Sequence, residues 1–368
     1  MVKAKIDKGF LLISILLITV GFLIFNSASL GLLTKGGEKY SNVAFSQTFL
    51  GLFSGIIAMI LTSKINYKVS RKYAFYIFLI SIILTLLVFT PLGFEHQGAR
   101  RWINIGDFSF QPSEALKIAF VIYLCALISK AKDRIKDAKF GLVPVIILLG
   151  LVGLILLKQP DTDTLAIMML AAIGIFIAAG GKWKHIFLVG FVASVCLLTV
   201  IAVRPYAKER IVTFFRPNEN TLSSAYQINQ SLIAVGSGGL VGRGFGQSIQ
   251  KFDFLPEPIG DSIFAVAAEE FGFIGATVLI FLYVIFAMKA LKIALRTPDS
   301  YGRLLVVGIA ILIVSQAFVN IASMLAVLPL TGIPLPFVSH GGTALLITLA
   351  EVGIILNISR YQTKSYQK

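Results

Sequence analysis

Ten apolar stretches of membrane-spanning length run through this chain, and they constrain its fold more than any other feature of the sequence. A helix needs about 20 apolar residues to cross a bilayer. Lipid tolerates only helices and closed barrels, because every backbone polar group must find a partner. Only 14% of the residues are charged, against about 25% in soluble domains. The stretches lie near residues 10–33, 43–62, 73–91, 113–129, 140–157, 164–181, 185–203, 262–288, 304–326 and 341–358.

The predicted fold is therefore an all-α integral membrane protein with ten transmembrane helices. Residues 1–368 are expected to form a single polytopic domain, and one long extracytoplasmic loop, at about 204–261, separates the seventh and eighth helices. Long loops in compact proteins tend to be functional or disordered. Because this loop carries Phe, Leu, Ile and Tyr throughout, we expect it to be ordered and functional.

The net charge of +15 reflects topology and not a nucleic-acid partner. Most lysines and arginines fall in alternate connections, and cytoplasmic connections are the ones enriched in these residues. This pattern places both the N-terminus and the C-terminus in the cytoplasm. The two cysteines lie in apolar runs and the three histidines are far apart. The sequence therefore predicts no disulfide and no metal-ligand cluster.

The segment GARRWINIGDFSFQPSEALKIAF places Arg100 and Arg101 just outside the membrane and then opens a helix at Pro112. Glu114 and Lys117 are three residues apart, so they share one face of this helix. Two interpretations remain open. The pair could neutralise itself at a polar helix end, or it could line a polar cavity that holds an anionic headgroup, since charges within a membrane usually mark functional sites.

The segment LLKQPDTDTLA places Lys158, Asp161 and Asp163 at the external end of two apolar runs. Pro160 should end the first helix, because the residue before a proline disfavours the helical conformation. Either aspartate could cap the next helix, since Asp is a preferred N-cap residue. The cap is the favoured interpretation for Asp163, whereas for Asp161 capping and a functional role are equally compatible with the sequence.

Two glycine-rich segments flank the eighth and ninth spans. AVGSGGLVGRGFGQ surrounds Arg243, and its exposed amides with one arginine could hold phosphate, although a turn-forming linker would look similar. LPLTGIPLPFVSHGGTALL carries Ser339, His340, Gly341 and Gly342. It cannot be a regular helix, and irregular backbone at membrane depth is tolerated only when it is buried or lines a cavity. A structural role is the favoured interpretation for His340.

The stretch FLPEPIGDSIFAVAAEEFG places four acidic residues, among them Asp261, at the mouth of the eighth span. Asp261 could be the N-cap of this helix or a general base, and residue chemistry alone leaves both open. Glu269 and Glu270 follow within the apolar run. We expect these two to support the helix interior and not to carry chemistry.

Taken in order, the motifs GARRWINIG, FQPSEALK, KQPD, YQINQSLIAVGSGGLVGRGFGQS, FLPE followed by DSIFAVAAEEFG, and TGIPLPFVSHGG resemble the SEDS family (shape, elongation, division, sporulation) over essentially the whole chain. Within the family, SLIAVGSGGLVGRGFGQSIQKFDFLPEP is more similar to the division member FtsW than to the elongation member RodA. The resemblance implies a ten-helix peptidoglycan glycosyltransferase that polymerises lipid II (undecaprenyl-linked disaccharide pentapeptide) outside the bacterial cytoplasmic membrane.

The resemblance also implies residue roles. Asp261 matches the essential aspartate of the family. Glu114 with Lys117, and Gln159-Pro160-Asp161, match motifs of the substrate site. The chain departs from the family at three places, since it has Ile259-Gly260 where His-Thr is common, His340 where Tyr is common, and Asp163 where glycine is usual.

The mechanism expected from this resemblance is deprotonation of a sugar hydroxyl by Asp261, with pyrophosphate as leaving group. Arg243, Arg100, Arg101 and Lys117 are the candidate cations for that group, and a divalent cation could share the task. A class B penicillin-binding protein (a transpeptidase), other division or elongation proteins and membrane lipids are the expected partners. A lipid-linked precursor flippase and a non-enzymatic division scaffold are the alternatives.

Overall fold

The computed structural model describes residues 5–35, 37–96, 99–105, 108–216 and 224–362. Within these ranges the chain is mainly helical, with one small sheet near the beginning. The helices in chain order are α1 Lys8–Ser29, α2 Gly37–Phe45, α3 Ser54–Lys64, α4 Tyr67–Lys72, α5 Ala74–Leu86, α6 Pro112–Ala131, α7 Leu142–Lys158, α8 Thr162–Ala178, α9 Trp183–Val203, α10 Pro205–Phe215, α11 Ser224–Ser237, α12 Ile263–Arg296, α13 Ser300–Met324 and α14 Gly342–Ser359.

Helices occupy all ten regions in which the sequence predicts membrane spans, which confirms the all-α membrane fold. Among the described residues, six helical segments are long and apolar enough to cross a bilayer by themselves. Helices α5, α7 and α8 are apolar but shorter, and α6 carries Glu114 and Lys117 in its first turns. That all ten cross the membrane remains a prediction. The six segments are Lys8–Thr34, Tyr40–Lys64, Trp183–Val203, Ile263–Arg296, Ser300–Met324 and Gly342–Ser359.

A small antiparallel sheet stands in the connection before α6, where the sequence predicts only an external segment. Strands β1 Gly93–His96, β2 Ala99–Ile105 and β3 Phe108–Phe110 pair in that order. Strand β2 is central, and Arg101 lies at a bulge in its pairing with β1, between Arg100, which pairs with Glu95, and Trp102, which pairs with Phe94. Helix α6 then begins at Pro112, as the sequence predicts.

The predicted long loop contains two helices, α10 and α11, followed by an irregular segment that packs against α12. Helix α12 is interrupted at Gly272, whose φ of 65° lies in the left-handed region that glycine adopts without steric cost. At this break the amide of Phe273 donates to the Gly239 carbonyl and the amide of Arg243 donates to the Glu269 carbonyl. The glycine-rich loop therefore packs backbone against backbone.

The proline-rich segment 325–341 runs irregularly into the helix bundle between α13 and α14. Asn320 donates from one amide nitrogen to the carbonyls of Ile333 and Asp261, both at 2.8 Å. Gln47 donates to the Ser339 carbonyl and accepts from the Gly341 amide. Buried side-chain amides thus satisfy the backbone groups that irregular structure leaves unpaired, which brings this segment to the wall of a cavity.

Candidate active site

A cavity of about 700 Å³ opens where β2, α6, α8, α10, the start of α12 and segment 325–341 meet. Its wall carries an unusual number of charged side chains for a membrane protein, in which such groups are costly unless they pair or line an aqueous space. Most of the predicted site residues are among them. The charged and polar lining includes Arg101, Glu114, Lys117, Asp161, Asp163, Arg210, Glu257, Asp261, Gln316 and His340.

Asp261 lines this cavity and is not a helix cap. The N-cap position of α12 is Ser262, without a side-chain capping bond. The backbone around Asp261 is held from two directions. Asn320 donates to the Asp261 carbonyl, and the Ser339 hydroxyl donates to the Gly260 carbonyl at 2.7 Å. The carboxyl group is therefore presented to the cavity by a fixed backbone, which removes one of the two interpretations that the sequence leaves open.

The surroundings of Asp261 raise the pKa of its carboxyl group to about 7. Burial is the largest cause, because it disfavours the charged form, and the negative charge of Glu257 comes next. Arg210 and Arg101 act in the opposite direction, whereas Asp163 adds to the increase. A carboxyl group with a pKa near the working pH is suited to accept a proton in catalysis.

The Glu114–Lys117 pair forms as predicted and lies at the inner wall of the cavity. The Lys117 ammonium is 2.9 Å from the Glu114 carboxylate and donates to the side-chain oxygen of Gln316 at 2.8 Å. Gln316 in turn donates to the Pro334 carbonyl at 3.0 Å. The pair is self-neutralising and also lines the cavity, whereas its binding of an anionic headgroup remains a prediction.

Arg101 is fixed on the turn between α7 and α8. It donates to the carbonyls of Gln159 and Pro160, and its guanidinium lies 3.8 Å from Asp161. Asp161 is the N-cap of α8, since its carboxylate accepts from the Thr164 amide. The favoured assignment of the cap to Asp163 is therefore wrong, because α8 begins at Thr162 and Asp163 already lies in its first turn.

Asp163 points instead into the cavity. Its carboxylate accepts from Arg210 at 2.8 Å and from the Gly332 amide at 3.1 Å. The Gly332 α-carbon marks a point where three charged groups converge. A Cβ placed there would lie 3.6 Å from Asp261 Oδ2, 3.7 Å from Arg210 Nη2 and 3.9 Å from Asp163 Oδ2.

Several predicted site residues lie away from the cavity wall. Arg100 is exposed and 3.9 Å from Glu95, and Lys158 is exposed at the end of α7. Gln159 is buried and donates to the Thr85 carbonyl. Ser339 is buried and supports the Asp261 loop. Their predicted contacts with substrate stay predictions.

Arg243 is also outside the cavity lining, and a second polar cluster explains its position. Its guanidinium is 3.4 Å from Glu269. Next to it, the fully buried Lys251 ammonium is 2.7 Å from Glu270 and donates to the Gly246 carbonyl at 2.8 Å. Glu269 and Glu270 therefore anchor the loop that precedes α12 on that helix, in agreement with the structural role predicted for them.

His340 and its neighbours have mainly structural contacts. Its amide donates to the Ile259 carbonyl at 2.7 Å, and its ring stacks on Phe25 with centroids 6.0 Å apart. Gly341 and Gly342 line the cavity beside it. This arrangement agrees with the structural role favoured for His340, although the ring also faces the cavity.

Sequence reasoning missed several polar residues that build the site. Gln316 and Asn320 are buried in the ninth predicted span, and polar side chains inside a membrane segment are a recognised functional signal that could have indicated them. Gln47 gives the same signal in the second span. Arg210 had no comparable signal, because it is one of several basic residues in the long loop.

The residues present do not form a ready metal site. Within the described ranges, no group of three or more His, Cys, Asp or Glu side chains is placed to hold a metal ion. The two carboxylates that converge near Gly332 have the Arg210 guanidinium beside them. A guanidinium competes with a metal ion for the same carboxylate oxygens, so this arrangement does not favour metal binding.

Proteins of known sequence resemble this chain over its full length. A profile of the FtsW/RodA/SpoVE family, described as cell cycle proteins, matches residues 8–364. Stage V sporulation protein E of Bacillus subtilis is 37% identical over 362 residues, which cover 98% of each chain. A probable peptidoglycan glycosyltransferase FtsW of Geobacter sulfurreducens is 37% identical over 358 residues, which cover 96% of this chain and 95% of that one.

Two solved structures have a similar fold. A chain from a peptidoglycan synthase complex, described as coordinating polymerization and crosslinking, superposes with a TM-score of 0.80 at 24% identity over 99% of both chains. The rod shape determining protein RodA of Thermus thermophilus gives a TM-score of 0.68 at 24% identity, over 99% of this chain and 98% of that one. The chain is a multi-pass bacterial membrane protein, and the profile and the full-length relatives show that it belongs to the FtsW/RodA/SpoVE family of cell cycle proteins.

Proposed function

We propose that this protein is a peptidoglycan glycosyltransferase that polymerises lipid II into glycan strands, with Asp261 as the general base. The observation that carries the proposal is the placement of Asp261 in a charged cavity, with its pKa raised to about 7. The glycosyltransferase name given to FtsW of Geobacter sulfurreducens supports the reaction class.

In the proposed reaction, Asp261 accepts the proton of a hydroxyl group on the acceptor sugar. The oxygen of that hydroxyl group bonds to the anomeric carbon of the lipid-linked donor. The bond from that carbon to the pyrophosphate oxygen breaks, and undecaprenyl pyrophosphate leaves. A positioned base contributes about 10²–10⁴-fold to such a step. Placed cations stabilise the charge that develops on the leaving group, and Arg101 and Lys117 line the cavity where they could do so.

Strand β2, helix α10 and the loop before α12 line the cavity and belong to connections that the positive-inside pattern assigns to the external side. The proposed reaction therefore takes place outside the cytoplasmic membrane, with both termini in the cytoplasm. A class B penicillin-binding protein is the proposed partner, because a polymerised strand must be cross-linked to become wall. The solved complex that couples polymerization to crosslinking has a chain of this fold, which supports such pairing. Similarity to FtsW favours a role in cell division.

A flippase for lipid-linked precursors is the second candidate, because a polar cavity between broken helices is also typical of transporters. The irregular segment 325–341 beside the cavity is the observation that favours it. The two candidates differ in what Asp261 does. A polymerase needs a base at this place, whereas a flippase needs only a cavity of suitable charge.

The proposal is tested by supplying lipid II to the purified protein, alone and with its transpeptidase partner, and separating glycan products by gel electrophoresis. We expect polymer from the wild type and its loss, by about 10²-fold or more, in Asp261→Asn. The matched control is Asp253→Asn. Asp253 is an exposed residue of the same loop, so the same chemical change is made outside the cavity.

Two results would overturn the assignment. Polymerisation by Asp261→Asn at the wild-type rate would show that Asp261 is not the general base. Absence of polymer in every condition, with translocation of labelled lipid II across vesicles, would establish the flippase instead. Absence of both polymerisation and translocation would favour a non-enzymatic division scaffold.

A further inference from the structure

Asp163 is a carboxylate for which the proposed reaction has no use, although it lies in the same cavity as Asp261. It occurs in the first turn of α8 and is not the cap of that helix. Its oxygen Oδ2 accepts two hydrogen bonds, from Arg210 Nη1 at 2.8 Å and from the Gly332 amide at 3.1 Å. Asp163 therefore ties α8 to both α10 and segment 325–341.

The guanidinium of Arg210 has two carboxylates within reach but is bonded to one of them. Arg210 Nη2 and Asp261 Oδ2 lie 3.7 Å and 3.6 Å from the same point at Gly332. The ion pair forms with Asp163 at 2.8 Å. In the part of the chain that the structure describes, the Asp261 side chain has no hydrogen-bond or ion-pair partner.

We propose that Asp163 is a positioning residue that holds the Arg210 guanidinium beside Asp261 and prevents it from pairing with that carboxylate. The inference rests on the proposed function, since it explains how Asp261 stays available to accept a proton. An aspartate paired with an arginine is a weak base, because the positive charge stabilises its ionised form. The Asp163 carboxylate keeps the Arg210 guanidinium in the cavity without weakening Asp261 as a base.

The groups that face Asp261 come from several elements. Glu257 belongs to the same loop, Arg210 to α10, Asp163 to α8 and Arg101 to β2, and all four influence the pKa of Asp261. Removing the charge of Asp163 acts on Asp261 in two ways. The repulsion between the two carboxylates disappears, and Arg210 loses its 2.8 Å ion pair with Asp163 and can turn to Asp261. Both changes lower the pKa of Asp261.

The experiment measures the protonation of Asp261 directly, so that it does not depend on polymerase activity. A hydrophobic carbodiimide reacts with a protonated carboxyl group, and mass spectrometry of the peptide containing Asp261 gives the extent of labelling at each pH. For the wild type we expect a midpoint near pH 7. In Asp163→Asn the midpoint should fall by about one pH unit or more. The rate of polymerisation at alkaline pH, where the base is ionised in both proteins, should fall severalfold because the base is weaker.

Two further variants separate positioning from stability. Asp163→Glu keeps the charge and should keep the labelling midpoint close to that of the wild type. The double variant Asp163→Asn with Arg210→Gln removes the cation, so its midpoint should return upward relative to Asp163→Asn alone. Thermal unfolding of each variant in detergent verifies that the fold is retained.

Equal labelling midpoints in the wild type and Asp163→Asn would overturn the inference, as would a double variant with the same midpoint as the single one. These outcomes differ from a failure of the proposed function. If the protein made no polymer but the midpoint moved as described, the positioning of Arg210 would stand and the polymerase assignment would fall.

Discussion

The ion pair between Lys251 and Glu270 gives a prediction about what holds the loop before α12 in place. Both side chains are fully buried, and their charged atoms are 2.7 Å apart. Glu270 also accepts hydrogen bonds from the Ser27 hydroxyl of α1 and from the Ser248 amide. Replacement of Glu270 by Gln keeps the shape of this side chain but leaves the Lys251 charge uncompensated. We therefore expect the loop, α1 and α12 to lose a common anchor.

The size of the effect follows from the contacts that remain. Breaking a buried pair by removing one partner costs about 3–5 kcal/mol. Lys251 would keep the Gly246 carbonyl at 2.8 Å and the Ser27 hydroxyl at 3.2 Å, so we expect the lower end, about 3 kcal/mol. At about 2 °C for each kcal/mol, the unfolding temperature should fall by roughly 6 °C.

The assay is thermal unfolding of purified protein in detergent, followed by tryptophan fluorescence or circular dichroism. The control is Glu95→Gln, which removes an exposed ion pair with Arg100 at 3.9 Å and should cost no more than about 1 kcal/mol. Adding Lys251→Met to Glu270→Gln should recover part of the loss, because it removes the buried charge that Glu270→Gln leaves uncompensated. Equal unfolding temperatures for Glu270→Gln and Glu95→Gln would refute the reasoning.

Two more predictions concern the cavity. Glu257→Gln removes a negative charge that raises the pKa of Asp261, so the pKa of Asp261 should fall. Because activity needs the ionised base, polymerisation should persist to lower pH. A pH–rate profile of polymerisation with an unchanged acid limb would contradict this prediction. Gly332→Ala places a methyl group between Asp261, Arg210 and Asp163 at ordinary contact distances, so the protein should fold but polymerise at least roughly tenfold more slowly. Gly150→Ala is its control, since a Cβ there meets no atom within 4 Å, and equal rates for the two variants would contradict the prediction.

The membrane fold could be predicted because its signal is local. Each apolar stretch must pair its own backbone groups as a helix once it enters lipid, so positions of helices such as α12 and α13 follow from hydropathy alone. The motif around Asp261 could also be found, as could the Glu114–Lys117 pair, whose spacing is that of one helix face.

Side-chain partners were less predictable because they depend on elements far apart in the chain. Arg243 was a candidate for binding phosphate, but a carboxylate 26 residues later in the chain, Glu269, lies beside it in the folded protein. The helix cap was assigned to Asp163 where Asp161 fills it. Arg210 received no assignment, since its partner Asp163 is on a different helix and no sequence spacing connects them.

The sequence by itself determined where the apolar helices lie, which of the connections between them are basic, and which family the motifs resemble. All of these depend on the composition of short stretches and on their order. Only the tertiary structure decided that Asp261 faces a cavity without capping its helix, that Arg101, Lys117 and Arg210 line the same cavity, and that Arg210 pairs with Asp163. The physical reason is that electrostatic interactions depend on distances in space and on burial, and the packing of helices sets both.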